Sequence, residues 1–157
     1  MKCNENIYRG YWPQILNSDS TDFMMDEYES TDMSAYDFLH GCCAFFAYTL
    51  AKKFGYDIIL AYTLDSEYVK NFTHAYCYTT IDGRKYYFDI RGITTDEDML
   101  LEEFEIFLAH GGDDWVSLEP ITCEEMEFSK FLDSYGKENI LENAEKFIEA
   151  NIDYYRL

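Results

Sequence analysis

The chain has 157 residues, of which 48% are hydrophobic and 18% aromatic, and its formal net charge at pH 7 is −19. This length and composition are typical of one folded domain and exclude a disordered acidic chain. The sequence holds no run of about 18 or more apolar residues, so it predicts no membrane-spanning helix.

The first 33 residues mix aromatic and acidic side chains without a clear helical or strand period. They lack the apolar core of a signal peptide, so we expect a cytoplasmic protein. The five cysteines, at positions 3, 42, 43, 77 and 123, are odd in number and form no CxxC pair. This argues against a disulfide framework and a structural zinc site, and we expect neither a metal nor another cofactor.

Residues 34–54 predict a helix in two parts. In the second part, one apolar stripe at helical spacing is formed by Cys43, Phe46, Ala47, Leu50, Ala51 and Phe54. Two lysines suit the last turn, and Gly55 ends the helix. Cys43 therefore lies near the helix N-terminus on the buried stripe, whereas Cys42 is about 100° away from that stripe.

Residues 57–64 predict a strand, and residues 73–91 predict a hairpin around the turn Asp82-Gly83. With that two-residue turn, one face of the hairpin carries His74, Tyr76, Tyr78, Tyr87, Asp89 and Arg91. His74 then faces Arg91 and is a diagonal neighbour of Asp89, with Cα atoms about 7–8 Å apart and side chains within reach. A one-residue slip in register would separate them.

The C-terminal part predicts mostly helices. Residues 94–110 predict a helix that Thr94 or Thr95 caps. A short strand is predicted to follow, and Pro120 restricts it to a sheet edge. Two closing helices are predicted within residues 122–136 and 137–155. We expect a single domain, residues 1–157, with a core at 34–95 and an acidic helical part at 96–157.

The negative charge lies in the two flanks: the net charge is −6 over residues 1–40, +1 over 41–95 and −14 over 96–157. Without a basic stripe to neutralise phosphates, direct nucleic-acid binding is disfavoured, and we expect no membrane partner. Two interpretations of the acidic residues remain. They form a solvated surface that keeps the protein soluble, or a surface that binds a basic protein partner by imitating nucleic acid.

One set of residues is suited to nucleophilic catalysis. A thiolate is stabilised by a helix N-terminus and by a neighbouring imidazolium, and the imidazole needs a third group, commonly a carboxylate, to orient it. Cys43, His74 and Asp89 supply these groups in that chain order.

Structural interpretations of the same residues also stay open. Cys43 is a small buried side chain if the stripe only packs, and Asp89 has a purely structural partner in Arg91. Cys42 is the less favoured thiol. We expect His40 and His110 at the surface.

The segments "GCCAFFAYTL", "HAYCY" and "YYFDIRG", within residues 38–95, resemble the core of the papain-like and transglutaminase-like cysteine hydrolases. They are most similar to small bacterial and phage-type proteins with a G-x-C…H…D-x-R-G pattern. The resemblance implies that Cys43 is the nucleophile, His74 the general base and Asp89 the orienting carboxylate. Ala44 stands where peptidases of this superfamily usually carry tryptophan, which favours a narrow amide or acyl-transfer activity over general proteolysis.

We therefore expect an α+β fold in which an N-terminal helix carrying the cysteine packs on a small antiparallel sheet, as in a papain-like core, with additional C-terminal helices. The expected function is that of a thiol hydrolase or acyl transferase acting on an amide or thioester of a protein or small molecule. The alternative is a non-enzymatic acidic binding or inhibitor protein on the same scaffold.

Overall fold

The computed structural model describes residues 33, 35–64, 67, 69–101 and 116–157. The expectations for the irregular N-terminal segment, for the second half of the helix predicted at 94–110 and for His110 lie outside these residues. In the described part of the chain, no helix is long and apolar enough to cross a membrane.

The described elements form an α+β fold, as the sequence predicts, and comprise five α-helices and five strands, one strand more than expected. In chain order they are α1 (Ala35–Leu39), α2 (Cys43–Phe54), β1 (Asp57–Leu64), β2 (Lys70–Ile81), β3 (Arg84–Asp89), β4 (Gly92–Thr94), α3 (Glu97–Leu101), β5 (Val116–Ile121), α4 (Cys123–Glu127), a 3₁₀ turn (Lys130–Leu132), α5 (Lys137–Ala150) and a 3₁₀ turn (Ile152–Tyr154).

The strands form one antiparallel sheet in the order β4-β3-β2-β1-β5. The strand that contains Pro120 is β5, and it lies at a sheet edge as predicted, because a residue without an N–H group interrupts a central strand. The β1–β2 pairing shifts register between the Ala61–His74 and Tyr62–Phe72 pairs, so Thr73 is a bulged residue directly before His74.

The two-part helix is confirmed. Between α1 and α2 the Cys42 N–H donates to the Asp37 carbonyl over 2.8 Å, which closes the connecting loop. Gly41 in this loop has φ +114°, in the region that favours glycine. The end of α2 is a left-handed Gly55 whose N–H donates to the Ala51 carbonyl, as its sequence position predicts.

The hairpin turn is also confirmed, since Asp82 and Gly83 both have positive φ, at 52° and 79°. The predicted register holds from the Ile81–Arg84 pair to the Cys77–Phe88 pair. The ladder then ends, so the expectation that His74 faces Arg91 is wrong. A tight turn at positions 90–91 carries the chain from β3 into β4 instead.

This second turn explains the sequence D-x-R-G. Asp89 pairs with Gly92 across the β3–β4 ladder, and its Oδ1 accepts a hydrogen bond of 2.8 Å from the Arg91 N–H. Gly92 has φ +114°, which a side chain would disfavour. The turn therefore fixes the positions of Asp89 and Arg91 relative to each other.

The cap of the next helix differs from the prediction. Thr94 belongs to β4, and its hydroxyl oxygen accepts a hydrogen bond from the Asp96 N–H. Asp96 itself accepts from the Met99 N–H over 3.1 Å and so caps α3. The expectation that Thr94 or Thr95 caps this helix is wrong, because β4 continues through Thr94 and the helix begins only at Glu97.

The main core lies between α2, the sheet and α5. Helix α2 packs on β2 on one side and on α5 on the other. Phe46 at its centre contacts the rings of Phe38, Phe147 and Tyr155, with centroid distances of 5.4, 6.3 and 5.3 Å. A smaller buried cluster contains Ala61, Tyr76, Tyr87 and Leu100.

Candidate active site

Cys43 is the first residue of α2, and its thiol lies against β2. Its Sγ atom accepts a hydrogen bond of 3.4 Å from the N–H of Ala75, the residue that follows His74. The side chain is buried, with 2% of the residue exposed. Burial raises the pKa of the Cys43 thiol to about 12, although the hydrogen bonds from Ala75 and Ala44 act in the opposite direction. In this structure the thiol is therefore protonated at neutral pH.

Cys42 occupies the N-cap position of α2 and is half-buried. Its pKa is raised by burial and by the negative charge of Asp37. Burial thus raises the pKa of both adjacent thiols, and the two differ in solvent exposure. Cys43 is the one that reaches the sheet next to His74.

His74 and Asp89 are in contact, as the sequence predicts. The ring atom Nε2 of His74 lies 3.1 Å from Oδ2 of Asp89, and both residues are buried. Because Asp89 is ionised, Nε2 carries the proton and donates it to the carboxylate. The other ring nitrogen carries no proton in this neutral form, although a hydrogen bond with the Leu39 backbone also favours the protonated ring.

Burial lowers the pKa of His74, and the neighbouring charge of Arg91 adds to this effect. Asp89 and the backbone of Leu39 favour the charged ring and act in the opposite direction, but burial outweighs them. His74 is therefore neutral at pH 7, which is the form that a general base requires.

Arg91 neutralises the buried carboxylate. Its Nε atom lies 3.1 and 3.0 Å from the two Asp89 oxygens, and its Nη2 atom lies 2.5 Å from Oδ2. Burial alone would raise the pKa of Asp89, but Arg91 and His74 together lower it well below its usual value. The Asp89–Arg91 pair that the sequence left open as a structural interpretation is present, and it coexists with the His74 contact.

The thiol and the imidazole approach β2 from different sides. Ala75 and Cys77 pack in the main core with α2, whereas Tyr76 belongs to the smaller cluster. The His74 ring lies beside the Tyr76 ring, with centroids 6.0 Å apart and an angle of 19° between the planes. The structure thus brings His74 and Asp89 into direct contact and places Cys43 against the backbone of the next residue.

His40 is a neighbour of this cluster that the sequence did not indicate. It lies in the loop between α1 and α2, where we expected a surface position, and it is half-buried. Burial lowers the pKa of His40, and repulsion from Arg91 and from the protonated form of His74 lowers it further, while Asp89 acts in the opposite direction. The sequence position of His40, two residues before the N-cap Cys42, could have predicted this location, because the loop that leads into the cysteine-bearing helix runs past the site.

Among the described residues, no group of three or more His, Cys, Asp or Glu side chains could hold a metal ion. The buried cluster around Asp89 instead contains a neutral imidazole and a carboxylate that Arg91 neutralises, and the Cys43 thiol lies across β2 from that imidazole.

Comparison with known proteins adds no family to this description: no family model, no curated protein and no solved structure matches the chain.

Lowering the pH from about 7.5 to 5.5 is expected to reduce the free energy of unfolding. The folded-state pKa of His74 lies below its unfolded value of about 6.5, so the unfolded chain takes up the proton first. The stability that His74 contributes is complete above about pH 6.5 and is lost below it, at up to about 1.4 kcal/mol per pH unit. Asp89 adds a similar loss only below about pH 4.

Urea unfolding at several pH values and constant ionic strength measures this loss. The slope of stability against pH is expected to flatten in His74→Gln. His40→Gln should flatten it less, because His40 is half-exposed. An unchanged slope in His74→Gln would contradict the assignment of a neutral buried imidazole.

Proposed function

We propose that the protein is a thiol hydrolase or acyl transferase that acts on an amide or thioester, with Cys43 as the nucleophile. The observation that carries the proposal is the arrangement at the start of α2. The Sγ atom of Cys43 lies 3.4 Å from the amide of Ala75, and the preceding residue, His74, contacts Asp89 over 3.1 Å. A helix with a cysteine at its N-terminus, packed on an antiparallel sheet, also supports a papain-like core.

In the proposed reaction, the Cys43 side chain first moves within reach of the imidazole, because the two side chains lie on different sides of β2. His74 then takes the thiol proton on the ring nitrogen that does not face Asp89. The sulfur then attacks the carbonyl carbon, and a carbon–sulfur bond forms. His74 returns the proton to the leaving amine or thiol as its bond to the carbonyl carbon breaks, and an acyl-enzyme remains. Water, or another acyl acceptor, then attacks the acyl carbon while His74 takes its proton. The carbon–sulfur bond breaks, and the proton returns to the Cys43 sulfur. Asp89 holds the imidazole and stabilises its charged form, and backbone N–H groups at the start of α2 suit the oxyanion.

The burial of Cys43 restricts this activity. A thiol that is 2% exposed admits only a narrow acyl group, and its pKa of about 12 means that attack depends on proton transfer to His74. We therefore propose a small or extended acyl substrate, and not a broad peptide substrate.

The test is the alkylation of each cysteine by chloroacetamide between about pH 6 and 9, followed by peptide mass spectrometry of the folded protein. Cys77 is a matched control within the same chain, because it is also buried and burial raises its thiol pKa. We expect Cys43 at pH 7 to react at least about tenfold faster than Cys77, through a thiolate that His74 generates. His74→Gln should remove this difference.

Two results would contradict the proposal. If Cys43 stays as inert as Cys77 until the protein is denatured, it is a core residue and the proposed chemistry is wrong. An increase in rate that survives His74→Gln would overturn the role of His74 as the base.

A second candidate function is binding of a basic partner, and one observation favours it. Helix α5 exposes four carboxylates, on Glu138, Glu142, Glu145 and Glu149, while the candidate nucleophile is buried. Two of these acids are already paired with lysines, Glu142 with Lys146 and Glu149 with Lys53. This function predicts salt-sensitive binding of an oligolysine peptide that persists in Cys43→Ala, and binding that does not change with salt would exclude it.

A further inference from the structure

Helix α3 is attached to the His74–Asp89–Arg91 cluster at both ends. Near its C-terminus, the Leu100 carbonyl accepts a hydrogen bond of 2.8 Å from Nη2 of Arg91. At its N-terminus, Oε1 of Glu97 accepts a hydrogen bond of 2.6 Å from the hydroxyl of Tyr76. The helix therefore spans from the partner of Asp89 to the ring that lies beside His74.

Tyr76 connects Glu97 to His74. Tyr76 is fully buried. The centroid of its ring lies 6.0 Å from that of the His74 ring, and the angle between the two planes is 19°. Burial raises the pKa of Tyr76, and the Glu97 carboxylate raises it further, so the hydroxyl keeps its proton and donates. One end of this ring is thus held by a short hydrogen bond to a carboxylate, and its plane lies nearly parallel beside the imidazole.

We propose that Glu97, through the hydroxyl of Tyr76, is a positioning residue that holds the imidazole of His74 against Asp89. The inference rests on the proposed function in one respect: the orientation of His74 has chemical consequences only if His74 is the base. Nε2 of His74 makes the bond to Asp89, and a flat neighbour fixed at its far end prevents the ring from turning away. A displacement of about 1 Å at a catalytic base costs on the order of a hundredfold in rate.

The chain supplies a matched control in Tyr87. Its hydroxyl also forms a hydrogen bond with Glu97, it is almost fully buried, and its ring centroid lies 6.3 Å from that of Tyr76. Tyr87 stands on the neighbouring strand β3, whereas Tyr76 shares β2 and a stacked contact with His74. Removing either hydroxyl thus takes one bond from the same carboxylate, but only one of the two rings orients His74.

The experiment is ¹⁵N NMR of the histidine ring nitrogens in the full chain, with His74 assigned by comparison with His74→Gln. In the wild-type protein we expect a single tautomer that is protonated at Nε2. In Tyr76→Phe and Glu97→Ala we expect a mixture of tautomers and exchange of the Nε2 proton with water that is faster by about tenfold or more. Tyr87→Phe and Glu97→Gln, which keep the Tyr76 contact, should resemble the wild type.

Two outcomes would overturn the inference. In the first, Tyr76→Phe and Tyr87→Phe change the tautomer ratio and the proton exchange of His74 to the same extent, as a merely structural role predicts. In the second, neither variant changes them. If Tyr76→Phe does not fold, Glu97→Ala decides the matter, because Glu97 lies on a partly exposed helix.

The alkylation rate of Cys43 in the same variants separates this inference from the proposed function. A wild-type protein that shows the tautomer effect but an inert Cys43 supports the positioning role and refutes the hydrolase. A reactive Cys43 with an unchanged His74 in Tyr76→Phe refutes the positioning role alone.

Discussion

Replacing Asp89 with alanine is expected to lower the free energy of unfolding by about 3–5 kcal/mol. The substitution leaves the guanidinium of Arg91 buried without its carboxylate, in a site where both side chains are at most 2% exposed. It also removes the hydrogen bond to His74 and the Asp89–Arg91 backbone contact that forms the turn into β4. The cost is dominated by the unpaired buried charge, and urea unfolding followed by circular dichroism measures it.

Two controls identify the cause. Asp153→Ala breaks the exposed ion pair with Arg156, over 2.9 Å, and should change stability by less than about 1 kcal/mol. The double variant Asp89→Ala/Arg91→Met removes both charges and should recover a large part of the loss. If Asp89→Ala and Asp153→Ala cost the same, Arg91 is not held as a buried ion.

Replacing Phe46 with alanine is expected to cost about 3–5 kcal/mol. Phe46 is 1% exposed and contacts rings from α1, α5 and the C-terminal segment, so the cavity has walls from several elements and cannot collapse fully. Denaturant midpoints give the loss, and Phe46→Leu, which leaves a smaller cavity, should lose clearly less.

Phe128 is the matched control for this core residue. It is 83% exposed, and Phe128→Ala should change stability by no more than about 0.5 kcal/mol. Similar losses for Phe46→Ala and Phe128→Ala would show that α2 does not form the centre of the core.

A hydrogen bond from the C-terminal segment connects the main core to the turn that follows Asp89. Tyr155, which packs on Phe46, donates a hydrogen bond of 2.7 Å to the carbonyl of Ile90, within the turn that follows Asp89. The C-terminal segment therefore supports the turn that positions Asp89 and Arg91. This is why we expect substitutions in the core to disturb the site even where they touch none of its side chains.

Features that depend on local geometry were predictable from the sequence. The helical spacing of the stripe placed Cys43 at the start of α2 on its buried face, and Asp82-Gly83 set a two-residue turn. Since side chains alternate along a strand, that turn predicted His74 and Asp89 on the same face of the sheet.

The environment of these groups depends on contacts between distant parts of the chain. The ladder stopped at the Cys77–Phe88 pair because the chain turned at D-x-R-G, so Arg91 folded back onto Asp89 and did not face His74. The Cys43 thiol met the amide of Ala75, and burial raised its pKa, because the packing of a helix on a sheet sets how deep a side chain lies. Spacing along the chain fixes the face on which a residue lies, whereas access, charge and pKa depend on residues that are distant in sequence.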